Sequence, residues 1–131
     1  MKAAMIRCTS CLLLVLVFGC KANDTNLSSI LTSSNCYWDI QYIDSFGGRS
    51  VYCYKFNKDG SCQYFFYDRK KVRNKYDFDD NIPVSNTWQL QGDTVIYIYG
   101  AKGNILRFSK DTILLQSPIS KETHFLVRNC K

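Results

Sequence analysis

The sequence has a single histidine, His124, and only two prolines in 131 residues. One histidine excludes metal sites that use several imidazole ligands, and the length excludes a two-domain enzyme, a repeat array and a polytopic membrane protein. The chain also lacks a G-x-S-x-G sequence and a phosphate-binding glycine loop ahead of a helix. We therefore expect one domain, with no catalytic residue, no metal site and no cofactor.

The N-terminal segment has the pattern of an export signal. Lys2 and Arg7 precede an apolar run at residues 11–19, which is too short to span a bilayer as a helix. We expect residues 1–19 to be a signal peptide. The polar residues 20–35 then form a flexible tether, with a short helix over residues 27–31, ahead of a folded domain at residues 36–131.

The apolar run ends in the sequence VFGC, whose last residue is Cys20, and this resembles the lipobox of bacterial lipoproteins. The resemblance implies cleavage before Cys20 and lipid on its sulfur and its new amino group, with the acyl chains holding the protein at the cell envelope. Lys21 favours the outer membrane by analogy with lipoproteins in general. The alternative is ordinary cleavage after Ala22, which would release a secreted protein.

Four cysteines lie in the expected domain: Cys36, Cys53, Cys62 and Cys130. An even number in an exported chain favours disulfides, because the compartment is oxidising. A Cys36–Cys130 bond would join the two ends of the domain. Cys53 and Cys62 flank a turn. If Phe56 faces Ser61 across the expected hairpin, the two cysteines lie diagonally on one face, within reach only if the strands twist or bulge. We expect both pairings and favour the first; the alternative is four reduced, buried thiols.

From residue 37 onward, stretches rich in β-branched and aromatic residues alternate with turn sequences. The connections are too short for parallel strands, so the sequence predicts an all-β, eight-stranded antiparallel up-and-down meander that closes into a small barrel. A two-sheet β-sandwich is the alternative. Alternation places Trp38, Ile40 and Tyr42 on one face. The expected strands cover residues 37–44, 51–57, 61–68, 84–90, 94–99, 104–109, 112–116 and 123–128.

Two of the later hairpins resemble those of a known family. NTWQLQGDTVIYI, beginning at Asn86, and ILRFSKDTILL, beginning at Ile105, are similar to the W-x-L-x-G-D and I-x-x-L-(S/T)-x-D-x-(L/I)-x-L hairpins of bacterial lipocalin-like lipoproteins. The FNKDG hairpin at Phe56 fits the same pattern, and the resemblance spans residues 36–128. It implies a small eight-stranded lipocalin-like barrel, closed or half open, and implies little about activity, because the family is mostly of unknown function.

Positive charge is concentrated in the long connection at residues 68–83, ahead of aspartates at 77, 79 and 80. This basic run is either a patch for anionic lipid headgroups or polysaccharide, or a solvated loop whose two halves neutralise each other. Nucleic acid is not expected to meet an exported protein. The five cationic residues are Arg69, Lys70, Lys71, Arg73 and Lys75.

Aromatic residues are concentrated on the hairpin at residues 51–68, which predicts an apolar ligand cavity, a partner surface or simply a core with tyrosines at its edge. The expected function is therefore that of a non-enzymatic, envelope-anchored lipoprotein that binds a small apolar ligand or serves as an interaction module. The alternative is a secreted or anchored protein inhibitor, similar to lysozyme inhibitors, or an adhesin module. The aromatics are Tyr52, Tyr54, Tyr64, Phe65, Phe66 and Tyr67.

Overall fold

The computed structural model describes residues 26–33, 35–43, 50–78 and 85–131. The expected signal peptide, Cys20, Lys21 and the start of the tether lie outside these residues, as do the aspartates at 79 and 80. Within the described ranges, no helix has the length and the hydrophobicity needed to cross a membrane.

The described residues form one short helix and nine strands. The helix is α1 (Leu27–Leu31). The strands are β1 (Tyr37–Tyr42), β2 (Tyr52–Phe56), β3 (Cys62–Tyr67), β4 (Arg73–Lys75), β5 (Trp88–Gln91), β6 (Val95–Ile98), β7 (Ala101–Phe108), β8 (Thr112–Gln116) and β9 (Thr123–Asn129).

All nine strands belong to a single antiparallel sheet with the order β4-β3-β2-β1-β9-β8-β7-β6-β5, which curls into a half-barrel. Sheet neighbours are consecutive in sequence except β1 and β9, which pair along six residues and bring the two ends of the domain together. β4 and β5 are consecutive in sequence but lie at opposite edges of the sheet. An isolated bridge between Ser61 and Thr87 connects the residue before β3 to the chain that leads into β5.

The expected all-β antiparallel meander is confirmed, in one sheet and not in a two-sheet sandwich. The sheet has a ninth strand, β4, that the sequence did not predict. Its three residues, Arg-Asn-Lys, carry none of the β-branched or aromatic side chains that mark a strand. They form a strand because they pair with the strongly β-forming β3.

The hydrophobic core lies on the concave face of the half-barrel, where side chains from β1 and β6 to β9 meet helix α1. The Asn26 side chain caps the helix by accepting a hydrogen bond from the Ser28 amide at 2.9 Å. The Trp38 indole donates to the Leu31 carbonyl at 3.1 Å. The helix buries Leu27, Ile30 and Leu31, each worth roughly 1.5–3 kcal/mol. The chain from Asn26 onward is therefore part of the folded domain.

The expected Cys36–Cys130 disulfide is confirmed, with Cα atoms 4.1 Å apart. It links the residue before β1 to the residue after β9. β1 and β9 are already paired by backbone hydrogen bonds, and the disulfide adds a covalent link at the end of the same strand pair.

The expected Cys53–Cys62 bond is wrong: both residues are free, buried thiols. The pairing assumed a hairpin in which residue 56 faces residue 61. In the structure Phe56 faces Cys62, and Cys53 faces Phe65. Directly opposed residues share a face, and residues three apart on one strand point to opposite faces. Cys62 therefore lies in the concave core, whereas Cys53 lies on the convex face of the sheet.

Candidate functional site

Strand alternation divides the aromatic hairpin between the two faces of the sheet. Tyr54 lies opposite both Trp38 and Tyr64, so these residues share the concave face. Phe65 and Tyr67, in the alternate positions, lie on the convex face. The aromatic cluster predicted from the sequence thus contributes to two different surfaces.

A groove with a volume of about 770 Å³ runs over the convex face, and we call it the convex-face groove. It is lined by residues of β1, β3, β4 and β9, by the chain before β2, by the β3–β4 loop and by the chain after β9. Four of its eleven lining residues are cationic. They are Arg69, Lys71, Arg73 and Lys131.

Arg73 is the most firmly held of these cations. Its guanidinium carbon lies 3.5 Å from the centre of the Tyr37 ring. Its Nη2 donates to the Tyr67 hydroxyl at 3.3 Å and to the Lys131 carbonyl at 3.4 Å. Its Nε is buried without a hydrogen-bond partner among the residues that the structure describes. A guanidinium stacked on a ring and bonded at its edge keeps a fixed position and retains its charge.

Asp39 places a carboxylate in the same groove. Its Oδ1 accepts a 2.6 Å hydrogen bond from the Tyr67 hydroxyl, and its Oδ2 accepts one of 3.0 Å from the Asn129 amide. Burial raises the pKa of Tyr67, and the hydrogen bond to Asp39 raises that pKa further. Tyr67 therefore stays protonated and links Asp39 to Arg73, donating to one and accepting from the other. From the described residues each carboxylate oxygen accepts one hydrogen bond, which leaves it a second lone pair.

The β3–β4 loop is shaped by Asp68, whose Oδ1 accepts hydrogen bonds from the backbone amides of Lys70 and Val72, both at 2.8 Å. Lys71, between them, adopts a left-handed conformation with φ 63°. This turn brings Arg69 and Lys71 to the groove and leaves Lys70 exposed on the loop. Asp68 organises the loop through Oδ1, and its single negative charge offsets only part of the positive charge of Arg69 and Lys71 beside it.

The structure therefore divides the basic run predicted as an anionic-surface patch. Arg69, Lys71 and Arg73 line the groove, while Lys70 does not. Lys75 also lies outside the groove lining and makes an exposed 3.8 Å ion pair with Asp77. Among the described residues, this is the only ion pair of the type expected for a loop whose basic and acidic halves neutralise each other. Lys131 was not predicted. The expected Cys36–Cys130 bond could have indicated it, because it places the following residue beside β1.

The concave face carries a packed aromatic array centred on Tyr64. The Tyr64 ring stacks on Tyr52 at 5.2 Å and on Phe78 at 5.9 Å, and meets the Tyr76 ring edge at 5.6 Å. Tyr99 joins the array because its φ of 52° turns the chain at the end of β6 and brings the ring against Phe78. Burial raises the pKa values of Tyr64 and Tyr99, so their hydroxyls stay neutral. Tyr52 and Tyr76 remain 39% and 42% exposed at the edge.

The remaining ionisable groups on the sheet do not assemble into a reactive site among the described residues. The His124 ring lies 5.6 Å from Tyr42, and burial lowers its pKa although Glu122 opposes the shift. Burial also raises the pKa values of Cys53 and Cys62, which disfavours the reactive thiolate of either. No cluster of three metal-ligating side chains occurs in the part of the chain that the structure describes.

The described residues thus include an open polar groove on the convex face and a packed aromatic array on the concave face. Comparison of the chain with known proteins finds no matching family model, no matching curated protein and no matching solved structure.

Proposed function

We propose that this protein is a non-enzymatic lipoprotein of the cell envelope, and that its half-barrel acts as an interaction module whose convex-face groove binds an acidic partner. The observation that carries the proposal is the fixed guanidinium of Arg73 in an open groove with three further cations. A preformed positive site of this kind needs little reorganisation to bind a carboxylate or another anion.

The charge balance of the groove supports an acidic partner. Arg69, Lys71, Arg73 and Lys131 stand against Asp39 and Asp68, which leaves an excess of two positive charges. Asp68 and Asp39 already accept hydrogen bonds from the protein. Clefts lined by one sign of charge concentrate ligands of the opposite sign, and salt weakens the effect over a Debye length of about 8 Å at physiological ionic strength.

The proposed anchor would keep the groove close to a membrane. Cys20 lies six residues before Asn26, the first residue of the domain that the structure describes. Six extended residues span at most about 20 Å. A lipidated Cys20 would therefore hold the domain at the membrane surface, where acidic glycans and headgroups are concentrated. Comparing wild type with Cys20→Ala in membrane and soluble fractions tests the anchor: it predicts release of the variant, and equal partitioning would contradict it.

The groove itself is tested by binding to immobilised acidic polymers at low and high salt. The double substitution Arg69→Gln with Lys71→Gln removes two exposed charges without touching the core, and we expect it to weaken retention at least fivefold. The double substitution Lys58→Gln with Lys102→Gln is the matched control, because it also removes two exposed cations and both lie outside the groove. Equal losses of retention in the double variant and in the control would show that retention depends only on net charge. This result would overturn the proposal.

A small apolar ligand remains a second candidate function, favoured by the partly exposed Tyr52 and Tyr76 at the edge of the aromatic array. A flat apolar molecule could extend the Tyr52–Tyr64–Phe78 stack. Titration of tyrosine fluorescence with flat aromatic probes tests this candidate. Quenching that is lost in Tyr52→Ala would support it, and quenching unchanged by that substitution would count against it.

A further inference from the structure

The convex-face groove is unusual for an anion site because it also presents a carboxylate. Asp39 lies in the lining together with the cations. A groove for phosphate or sulfate alone gains nothing from Asp39, whose charge repels those groups. Besides holding Tyr67 and Asn129, the carboxylate can contribute to binding only if the ligand also donates hydrogen bonds.

The other polar groups of the lining have the same character. Asn129 donates to Asp39 at 3.0 Å and accepts a 3.2 Å hydrogen bond from the Lys131 backbone amide, and Gln41 adds a further amide to the groove. Val51, half exposed, adds an apolar contact. The groove thus combines hydrogen-bond acceptors, amides and an apolar contact with cations. This combination matches a ligand whose repeating unit carries hydroxyl donors, apolar C–H faces and a negative charge.

We propose that the acidic partner is a saccharide that carries carboxylates, with a sugar carboxylate bound on the side of Arg73 and Lys131 and sugar hydroxyls donating to Asp39. This inference rests on the proposed function and narrows it. The Arg73 guanidinium, held against the ring of Tyr37, already donates through Nη1 and Nη2 to Lys131 and Tyr67, so it offers the sugar carboxylate its positive charge and the remaining N–H of Nη1. The groove volume of about 770 Å³ lies within the range of small-ligand sites.

The experiment compares three ligands of equal length on the full, disulfide-bonded chain by calorimetry: an oligomer of galacturonic acid, the same oligomer with its carboxyls reduced to alcohols, and oligoglutamate. The first has hydroxyls and charge, the second only hydroxyls, and the third has charge and backbone amides but no hydroxyls. We expect the galacturonate oligomer to bind at least tenfold more tightly than either of the others.

The variants separate the two kinds of contact. Lys71→Gln should weaken the galacturonate oligomer and oligoglutamate by similar factors. Asp39→Asn should weaken the galacturonate oligomer at least fivefold and leave oligoglutamate unchanged or tighter, because it removes a hydroxyl acceptor and a repelling charge together. Lys102→Gln should leave both affinities unchanged. If Asp39→Asn does not fold, the comparison of ligands on the wild type still decides the question.

Each outcome has a definite meaning. Oligoglutamate binding as tightly as the galacturonate oligomer would overturn the saccharide inference and leave the acidic partner standing. Equal binding of the reduced oligomer would overturn the acidic partner itself, because charge would then contribute nothing. Absence of binding by both charged ligands would overturn both.

Discussion

Arg73 stacks on Tyr37 across the convex face, with the guanidinium carbon 3.5 Å from the ring centre. The two residues are distant in sequence and lie on strands that are not neighbours, β1 and β4. Arg73 spans the face above Cys53, which lies buried on β2 between them. The contact holds the Arg73 side chain in place near the end of the basic run, and the other cations of the groove lie around it.

Replacing Arg73 by lysine tests this contact. The ammonium group of lysine cannot stack on Tyr37 and bond Tyr67 and Lys131 at the same time. We expect Arg73→Lys to lower the free energy of unfolding by about 1 kcal/mol, measured by urea unfolding, and to weaken binding of an acidic ligand although the formal charge is kept. Wild-type affinity in this variant would show that charge alone, without position, is enough.

The disulfide should account for a large part of the stability. Cys36 and Cys130 are separated by 94 residues, and closing a loop of that length stabilises the folded state by about 4.7 kcal/mol in the chain-entropy estimate. We expect the double substitution Cys36→Ala with Cys130→Ala to lower the urea midpoint accordingly.

Thiol counting provides the control for that prediction. Of the four cysteines in the domain, two should be alkylated in denaturant without reductant, Cys53 and Cys62. All four should react after reduction, as read from intact mass. No alkylation before reduction would mean that the second pair is also bonded and would contradict the register of β2 and β3.

Alkaline pH should destabilise the fold. Burial raises the pKa of Cys62 from 9.0 to about 12 and raises the pKa values of Tyr54, Tyr64 and Tyr99 above their ordinary range. These groups stay protonated when folded and lose protons when the chain unfolds. The free energy of unfolding should therefore be unaffected by them below pH 9 and fall as the pH rises from 9 toward 12. Urea midpoints measured from pH 7 to 11 test this.

Cys62→Ala is the matched variant for the alkaline prediction. It should be less stable at pH 7, because a buried side chain is shortened, yet lose less stability between pH 9 and 10, where the tyrosines contribute little. A wild-type urea midpoint that does not change from pH 8 to 11 would contradict the prediction. It would show that these side chains contact much more water than their burial in the structure indicates.

Helix α1 should behave as part of the core. Leu31 is 1% exposed, and its carbonyl accepts the Trp38 indole hydrogen bond. We expect Leu31→Ala to cost about 3 kcal/mol of folding free energy, a large share of the total for a domain of this size. Ser28→Ala, on the partly exposed side of the same helix, is the control and should change stability little. Equal, small effects would mean that the helix is only loosely attached.

Much of the fold could be predicted from local sequence, because the strands alternate with period two and the turns are short. Trp38 and Ile40 are buried on the concave face as alternation requires. The same reasoning failed at β4, where Arg73 to Lys75 form a strand only through their pairing with β3. At Tyr99 a positive φ breaks the alternation at the end of β6, so the strand pattern does not predict the position of that ring.

The candidate site was only partly predictable. The basic run identified Arg69, Lys71 and Arg73 as a group, since charge density is visible in sequence. The roles of Asp39 and Asn129 could not be predicted, because these residues are 90 positions apart and their contact depends on the pairing of β1 with β9. The one-residue register of the β2–β3 hairpin likewise decided that Cys53 and Cys62 lie on opposite faces, and no local pattern specified it.

The most direct test of the central claim is to map an acidic ligand on the isotopically labelled protein by amide chemical shifts. We add the galacturonate oligomer and compare the groove residues Lys71, Arg73 and Asn129 with Tyr64 on the concave face and with Lys102. The account predicts saturable shifts at the groove residues, reduced by Lys71→Gln, and little change at the other two. Shifts centred on Tyr64, or spread evenly over all exposed cations including Lys102, would contradict it.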